Sequence, residues 1–358
     1  MRFMDGITAR WWSREDGNVR CELCPHRCLL AEGKTGICRT RRNIGNELRS
    51  LSYGHVCAST ADPIEKKPIF HFRPGSRLFS LGTFGCNLRC DNCQNFVVAC
   101  ANEGELPCEI MNPEDVMRSA VDRCVDGIAW TYNEPIVWLE FILDTAALAK
   151  EEGLFILLNT NGFISEEALN DALPLVDVMN IDVKAFSEPF YKKNCGGHLD
   201  DVLRTCRMAR AADIHVELTY LLIPGMNDSK EEVNSFFRWV VKTMGPSTPV
   251  HLYRFLPSHR LAHLPAQSMD RIEQAYADAR EIGILYPYVG GVVGDKRQST
   301  FCPKCGELLV DRRSEEVTEK IVVKTNEVSR FCPTYPDVKV LLENRQCPKC
   351  GFDISIIL

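Results

Sequence analysis

Leu78-Phe79-Ser80-Leu81-Gly82-Thr83-Phe84-Gly85 runs directly into Cys86-Asn87-Leu88-Arg89-Cys90-Asp91-Asn92-Cys93. The first stretch is uncharged and mostly apolar, as expected of a strand buried on both faces of a parallel sheet. The second places three thiols in a Cys-x3-Cys-x2-Cys loop. Structural zinc takes four protein ligands and closes its shell, and iron–sulfur cubanes are ordinarily held by four Cys thiolates. No fourth Cys or His follows closely, so three thiolates leave one iron open to a small-molecule ligand. Gly82 and Gly85, just ahead of Cys86, leave room for a backbone that must wrap a cluster.

Outward from this loop, strand-like runs alternate with amphipathic stretches. Strands are expected at Leu78–Gly85, Gly127–Asn133, Leu154–Thr160, Val176–Val183, His215–Ile223 and Val250–Phe255. Helices are expected at Pro113–Cys124, Pro135–Glu152, Glu166–Leu173, Asp200–Ala212, Ser229–Met244 and Ser268–Ile282, two of them opening on Pro at a first helical position. Such a βα repeat without a Gly-x-Gly-x-x-Gly loop reads as α/β, a partial (β/α)6-type TIM barrel. Chemistry in barrels sits at the C-terminal ends of strands. Those ends carry Cys86, Cys90 and Cys93, then Asn133 and Glu134, Asn159 and Asn161, Asp182 and Lys184, and finally His259. Asn-Gly is a common turn and Asp-x-Lys a common surface pair, but their recurrence at successive strand ends points to one reactive rim.

The chain has 358 residues, with 42 Lys+Arg against 48 Asp+Glu for a net charge of −6; apolar residues make up 45% and charged residues 25%. This is the composition of a globular chain with a full core, and it excludes a disordered or fibrous one. The acidic balance argues against nucleic acid as the main partner. No run approaches a membrane span, and the N-terminus has no apolar signal core, so no membrane role and a cytoplasmic location are expected. Eighteen cysteines in a reducing compartment then read as metal ligands rather than disulfides.

Two further groups flank the barrel. Cys21, Cys24, Cys28 and Cys38 offer four thiolates, which suit a saturated metal site: zinc, the favoured reading, or a second [4Fe–4S] cluster. His26 reads as a local hydrogen-bonding residue. Cys302-Pro-Lys-Cys305-Gly and Cys347-Pro-Lys-Cys350-Gly are paired knuckles of a zinc-ribbon-like module, with Glu319–Lys324 and Val338–Leu342 as its strands and Cys332 in reserve as a ligand. The chain thus divides into 1–75 (four-Cys extension and flap), 76–298 (barrel) and 299–358 (ribbon). Cys57, Cys100, Cys108, Cys124, Cys195 and Cys206 read as isolated bystanders, the ordinary lone cysteine being a small buried apolar residue; Cys195 falls on a flexible rim loop. Trp11-Trp12 is expected to pack an N-terminal helix, and Pro224–Asp228 to line substrate access.

The Cys86–Cys93 spacing after a first barrel strand resembles the radical S-adenosylmethionine (SAM) superfamily. Gly85–Asn95 is similar to activating enzymes of the pyruvate formate-lyase type. Cys24-Pro25-His26-Arg27-Cys28, Asp62-Pro63-Ile64-Glu65-Lys66-Lys67-Pro68 and His71-Phe72-Arg73-Pro74-Gly75 resemble the AmmeMemoRadiSam system radical SAM enzymes. The resemblance implies a [4Fe–4S] cluster on Cys86, Cys90 and Cys93, whose open iron chelates SAM. One electron then cleaves the sulfonium to a 5′-deoxyadenosyl radical that abstracts hydrogen. It further implies that Asn133, Glu134, Asn159, Asn161, Asp182, Lys184 and His259 position SAM. A flavodoxin- or ferredoxin-type reductant and a protein substrate, as for a glycyl-radical activase, complete the expectation. A radical SAM enzyme acting on RNA and a non-catalytic multi-zinc scaffold are the alternatives.

Overall fold

The computed structural model describes residues 6–292, 294–312, 338–342 and 344–358. Its centre is an eight-stranded sheet formed by β1 (Ala58–Pro63), β2 (Arg77–Gly82), β3 (Gly127–Trp130), β4 (Phe155–Thr160), β5 (Val178–Asp182), β6 (His215–Leu222), β7 (Val250–Arg254) and β8 (Pro287–Gly290). Strands β2 to β8 are parallel neighbours in chain order, and β1 adds antiparallel to the free edge of β2. The expected partial barrel is thus an open, mostly parallel α/β sheet with two strands, β1 and β8, beyond the six expected. β8 is only four residues long and opens on Pro287, too short a run to register as a strand by periodicity.

Helices α1 (Pro113–Asp122), α2 (Leu139–Glu151), α3 (Glu166–Ala172), α4 (Leu199–Ala211), α5 (Lys230–Trp239) and α6 (Met269–Ile282) fill the crossovers. Their starts follow local chemistry. Asn112 and Asp115 close a reciprocal capping box ahead of α1, and Ser165, Ser229 and Ser268 cap α3, α5 and α6. The strands bury both faces: every residue of β3 is buried, as are five of the six in β2, which is why they read as continuous apolar runs.

A charged knot closes the N-terminal end of the sheet. Buried Glu217, third residue of β6, accepts from the backbone N–H of Phe70 and His71 at 2.8 and 2.6 Å and bonds His251 at 2.6 Å and His215 at 3.0 Å. The C-terminal segment docks on the same strap: Ile357 N–H donates to the His71 carbonyl and Arg73 N–H to the Ile357 carbonyl.

The N-terminal region is built of short strands, Trp12–Glu15, Asn18–Cys21 and Leu29–Leu30 in one sheet, and Arg41–Ile44, Glu47–Ser50 and Ile7–Thr8 in another. The helix expected at Trp11-Trp12 is absent from the described residues; the Trp11 indole instead donates to Asp171 at 2.8 Å and that of Trp12 to the Ala9 carbonyl at 2.9 Å. Fully buried Arg41 clamps this region to α2 through both oxygens of Glu140, at 2.7 and 2.8 Å.

Four of the lone cysteines, Cys57, Cys108, Cys100 and Cys124, depart from the expected small buried thiol. Cys57 and Cys108 form a disulfide, because antiparallel pairing of Val56 with Glu109 sets the two side by side. Cys100 and Cys124 are exposed, whereas Cys195 and Cys206 are buried. Cys332 and Glu319–Lys324 lie outside the described residues; Lys339–Val340 pairs with Leu308–Asp311.

Candidate active site

The C-terminal ends of the strands open into a cavity of about 350 Å³. Cys86, Cys90 and Cys93 line it, together with Asn133, Glu134, Asn159, Asn161, Asp182 and Lys184. Ten of the residues singled out from the sequence were expected on this rim, and nine of them meet here.

The thiol loop is held from three sides. From the turn that follows β3, Asn133 accepts from Thr83 N–H at 3.0 Å and donates to the Gly85 carbonyl at 2.8 Å. From the β5–α4 connection, the carbonyls of Cys195 and Asn194 accept from Arg89 N–H at 2.8 Å and Asp91 N–H at 3.1 Å. Cys195 is therefore buried in a π-helical turn, Tyr191–Cys195, behind the loop, and the expected flexible rim loop is corrected. From the β7 side, the Ser258 hydroxyl donates to the Cys93 carbonyl at 3.1 Å.

Within the loop, no three of the cysteine sulfurs fall within 4.8 Å of one another. That is too open for one zinc, whose ~2.3 Å Zn–S bonds set a tetrahedron edge of about 3.8 Å, and suits a cubane that spreads its thiolates apart. Burial pushes the Cys93 thiol up to about 11 and raises that of Cys86 well above its usual value; coordination removes such protons.

Glu134 is 3% exposed, and its oxygens are shared with the end of β4: Thr160 OH donates at 2.6 Å, Asn161 N–H at 2.7 Å and Ile136 N–H at 3.3 Å. Burial outweighs these bonds and lifts its pKa to about 7. Asn161 donates to Asn87 at 3.0 Å and approaches Cys86 Sγ at 3.8 Å; Asn159 reaches Thr131 Oγ1 at 3.4 Å.

Asp182 and Lys184, one residue apart at the end of β5, face the same way and pair at 2.6 Å. Burial would lower the Lys184 pKa, but the Asp182 carboxylate holds it above its usual value. The Lys184 backbone is fixed by the Tyr191 hydroxyl at 3.0 Å and by Asn227 Nδ2, which donates to its carbonyl at 2.7 Å. Asn227 is fully buried, so the Pro224–Asp228 loop braces this strand end rather than lining the cavity.

His259 lies apart. It does not line the cavity; its ring stacks on Phe96 at 4.7 Å and 17°, across the thiol loop. The Asp62–Pro68 flap does reach the cavity, through Lys66, Lys67 and Pro68. Buried Lys67 bonds Asp62 at 2.9 Å and stands 4.9 Å over the Tyr132 ring, whose hydroxyl donates to Asp62 at 3.1 Å. Tyr132, Tyr253 and Thr219 line the cavity as well. Their positions at strand ends were a signal, but uncharged aromatic and hydroxyl residues in apolar runs read as core.

A family model described as the Radical SAM superfamily matches residues 81–239, the span from the thiol loop to α5. An uncharacterized protein of Methanocaldococcus jannaschii is 39% identical over 344 residues, 96% of this chain and 97% of its own length. The chain belongs to the radical SAM superfamily. Within it, the chain is homologous to activating enzymes: the pyruvate formate-lyase 1-activating enzyme of Escherichia coli is 24% identical over 196 residues, 52% of this chain and 76% of that one. A solved domain of the pyruvate-formate lyase-activating enzyme from Bacteroides vulgatus matches 46% of this chain and 99% of its own at a TM-score of 0.40 and 19% identity. This radical SAM chain is accordingly an enzyme, and its family implies a [4Fe–4S] cluster and SAM.

The C-terminal cysteines differ from those of the loop. Cys302 and Cys350 sulfurs stand 3.6 Å apart, as do Cys305 and Cys347, and all four lie within 4.8 Å of one another. Cys21, Cys24, Cys28 and Cys38 are free thiols, three of them buried, and no three of their sulfurs converge within that distance. His26 bonds the Asn87 carbonyl at 2.8 Å, 61 residues away in the thiol loop, so its hydrogen bond is long-range where a local one was expected.

Proposed function

We propose that this enzyme reductively cleaves SAM at a [4Fe–4S] cluster held by Cys86, Cys90 and Cys93, and abstracts hydrogen from a protein substrate in the manner of a glycyl-radical activase. The observation that carries this reading is the convergence of three thiols and the Asp182–Lys184 pair on one cavity. When bound, the cluster supplies the electron that breaks the sulfonium C–S bond and releases the 5′-deoxyadenosyl radical.

The chain's own residues bind and orient. Lys184 donates to the SAM carboxylate, with Asp182 keeping it charged and taking the SAM ammonium or ribose. Glu134, Asn133, Asn159 and Asn161 set the rim that receives the amino-acid end, and Lys67 closes over it from the flap. His259 acts from the far side of the loop, through Phe96.

The division at about residues 75 and 298, with a zinc-ribbon-like module holding zinc on Cys302, Cys305, Cys347 and Cys350, belongs to the same proposal. It is supported by sulfur separations that match a zinc tetrahedron. Membership of the AmmeMemoRadiSam group and a cytoplasmic setting rest on the sequence motifs and on the free thiols such clusters require. The reductant is proposed as a flavodoxin or ferredoxin type. A second cavity of about 340 Å³ beside the thiol loop is lined by Arg39, Arg89 and Arg42, the last paired with Glu103 at 3.3 Å, and its two other arginines support an acidic partner.

The test is anaerobic. Reconstituted enzyme with dithionite and SAM should yield 5′-deoxyadenosine, and Cys90→Ala should yield none. Equal product from the variant would overturn the assignment.

A further inference from the structure

The four thiols of the N-terminal region share their number with the C-terminal knuckles but, like the three of the thiol loop, do not gather as those knuckles do. A single zinc draws its sulfurs to tetrahedron edges of about 3.8 Å, and Cys302, Cys305, Cys347 and Cys350 stand near that geometry without help, with pairs at 3.6 Å. Cys21, Cys24, Cys28 and Cys38 do not: no three of their sulfurs lie within 4.8 Å of one another. The same is true of Cys86, Cys90 and Cys93, the set that family membership assigns to a cubane. Both sets are thus wider than a single zinc draws its sulfurs, and a cluster of four irons takes one thiolate at each corner and holds them farther apart than one ion does.

A second observation comes from Arg41. Its side chain is fully buried, with two nitrogens bonded to Glu140 and to the Arg10 carbonyl, yet its Nε has no hydrogen-bond partner. A buried guanidinium N–H left unmet costs about 1–3 kcal/mol or more. Arg41 lies close enough to Cys21 and Cys38 to feel both thiols electrostatically. Four thiolates on a cubane carry net negative charge and present sulfur acceptors, the complement of a buried cation with a spare donor. Gly36 completes the wall: a Cβ there would sit 3.7 Å from Cys28 Sγ.

The group also sits against the back of the thiol loop. The Cys38 carbonyl packs so closely on Gly85 that a Cβ on the glycine would fall 2.3 Å from it. Thr40 OH lies 3.3 Å from Cys38 Sγ and donates to the Val137 carbonyl at 3.1 Å, and His26, between Cys24 and Cys28, bonds the Asn87 carbonyl. Cys86 is thus flanked in the chain by two residues, Gly85 and Asn87, that both touch the N-terminal cysteine group.

We infer that Cys21, Cys24, Cys28 and Cys38 hold a second, fully thiolate-capped [4Fe–4S] cluster, a redox centre at the back of the SAM-cluster loop, and not a structural zinc. With all four corners taken, this cluster has no iron to offer SAM.

The test isolates it in the full chain. A Cys86→Ala/Cys90→Ala/Cys93→Ala variant, reconstituted anaerobically with iron and sulfide, should retain about four irons and four sulfides of the wild type's roughly eight each. Its dithionite-reduced EPR signal should be unchanged by SAM, and about one zinc should remain on the C-terminal cysteines. An iron-free variant, whether it holds one zinc or two, overturns the proposal. Because the triple substitution can unfold the loop, the wild-type chain with Cys24→Ala provides a second reading. Iron should fall by about half while the SAM-responsive EPR signal persists; undiminished iron overturns the proposal. Loss of the SAM-responsive signal in wild type would instead count against the proposed function and leave this site standing.

Discussion

Asn133 Nδ2 donates to the Gly85 carbonyl at 2.8 Å while its Oδ1 accepts from Thr83 N–H at 3.0 Å, so one side chain in the turn that follows β3 grips the backbone on both sides of Phe84. This is how the second strand of the repeat sets the position of a thiol loop that follows the first. Asn133→Ala removes both bonds, each worth about 0.5–1.5 kcal/mol net. Anaerobic urea unfolding should show a loss of about 1–3 kcal/mol, and iron should leave the loop faster in chelator. Unchanged stability and release would mean the loop is held elsewhere.

Gly85 itself is irreplaceable for a steric reason. It sits at φ +80, and an added Cβ would meet the Cys38 carbonyl oxygen at 2.3 Å and Thr40 Cγ2 at 2.8 Å. Gly85→Ala should cost about 2–4 kcal/mol, as strain at a special backbone position does. Gly17→Ala, at φ +75 but with nothing within 4 Å, should cost only about 1 kcal/mol. Melting temperatures of the two variants, measured side by side, check the difference; equal losses would contradict the close approach of the N-terminal region to the loop.

The legible part of this molecule was the part with repeated chemistry. Six buried parallel strands announce themselves by unbroken apolar runs, and the boundaries differ from expectation by a few residues where the chain leaves the sheet, as at Thr131–Asn133. Asp182 and Lys184 were readable as a pair because strand geometry puts i and i+2 on one face. What stayed hidden depends on contacts between distant segments. Nothing local to Glu217 says that it receives Phe70 and His71 from across the sheet, and nothing near Cys57 says that Cys108 lies beside it. His259 was placed by motif position after β7, but its turn at φ 48 swings the ring onto Phe96. The metal of the N-terminal group was open in sequence because four thiolates fit zinc and iron alike; separation of the sulfurs is a property of the fold.

The strap beneath the sheet should respond to pH. His71 Nδ1 faces the Ser355 carbonyl at 2.6 Å, which only accepts, so Nδ1 carries the proton and Nε2 accepts from Tyr288 OH at 2.6 Å. Burial of this neutral ring lowers its pKa from 6.5 to about 4. A depressed base contributes stability that is full above the unfolded value and is lost as pH falls through the folded one. Between pH 7.5 and 5.5, wild type should therefore lose roughly 1 kcal/mol more than His71→Gln does. Parallel pH profiles would show that His71 is not held neutral.

Lys184 is the cation at the cavity, held charged by Asp182. Replacing it by Met keeps its length and removes a charge-assisted bond worth about 1.5–3 kcal/mol. Anaerobic equilibrium dialysis should show SAM affinity falling by roughly 10- to 100-fold with iron content unchanged. Unaltered affinity would place the SAM carboxylate away from β5.

The central claim is a three-thiolate cluster with one iron available to SAM, and it is tested most directly by magnetic resonance on the reduced enzyme. Dithionite-reduced, anaerobically reconstituted protein should show an EPR signal that changes on adding SAM, with hyperfine coupling to a ¹⁵N-labelled SAM amino group that vanishes in Cys90→Ala. A reduced signal indifferent to SAM, with no such coupling, would contradict it.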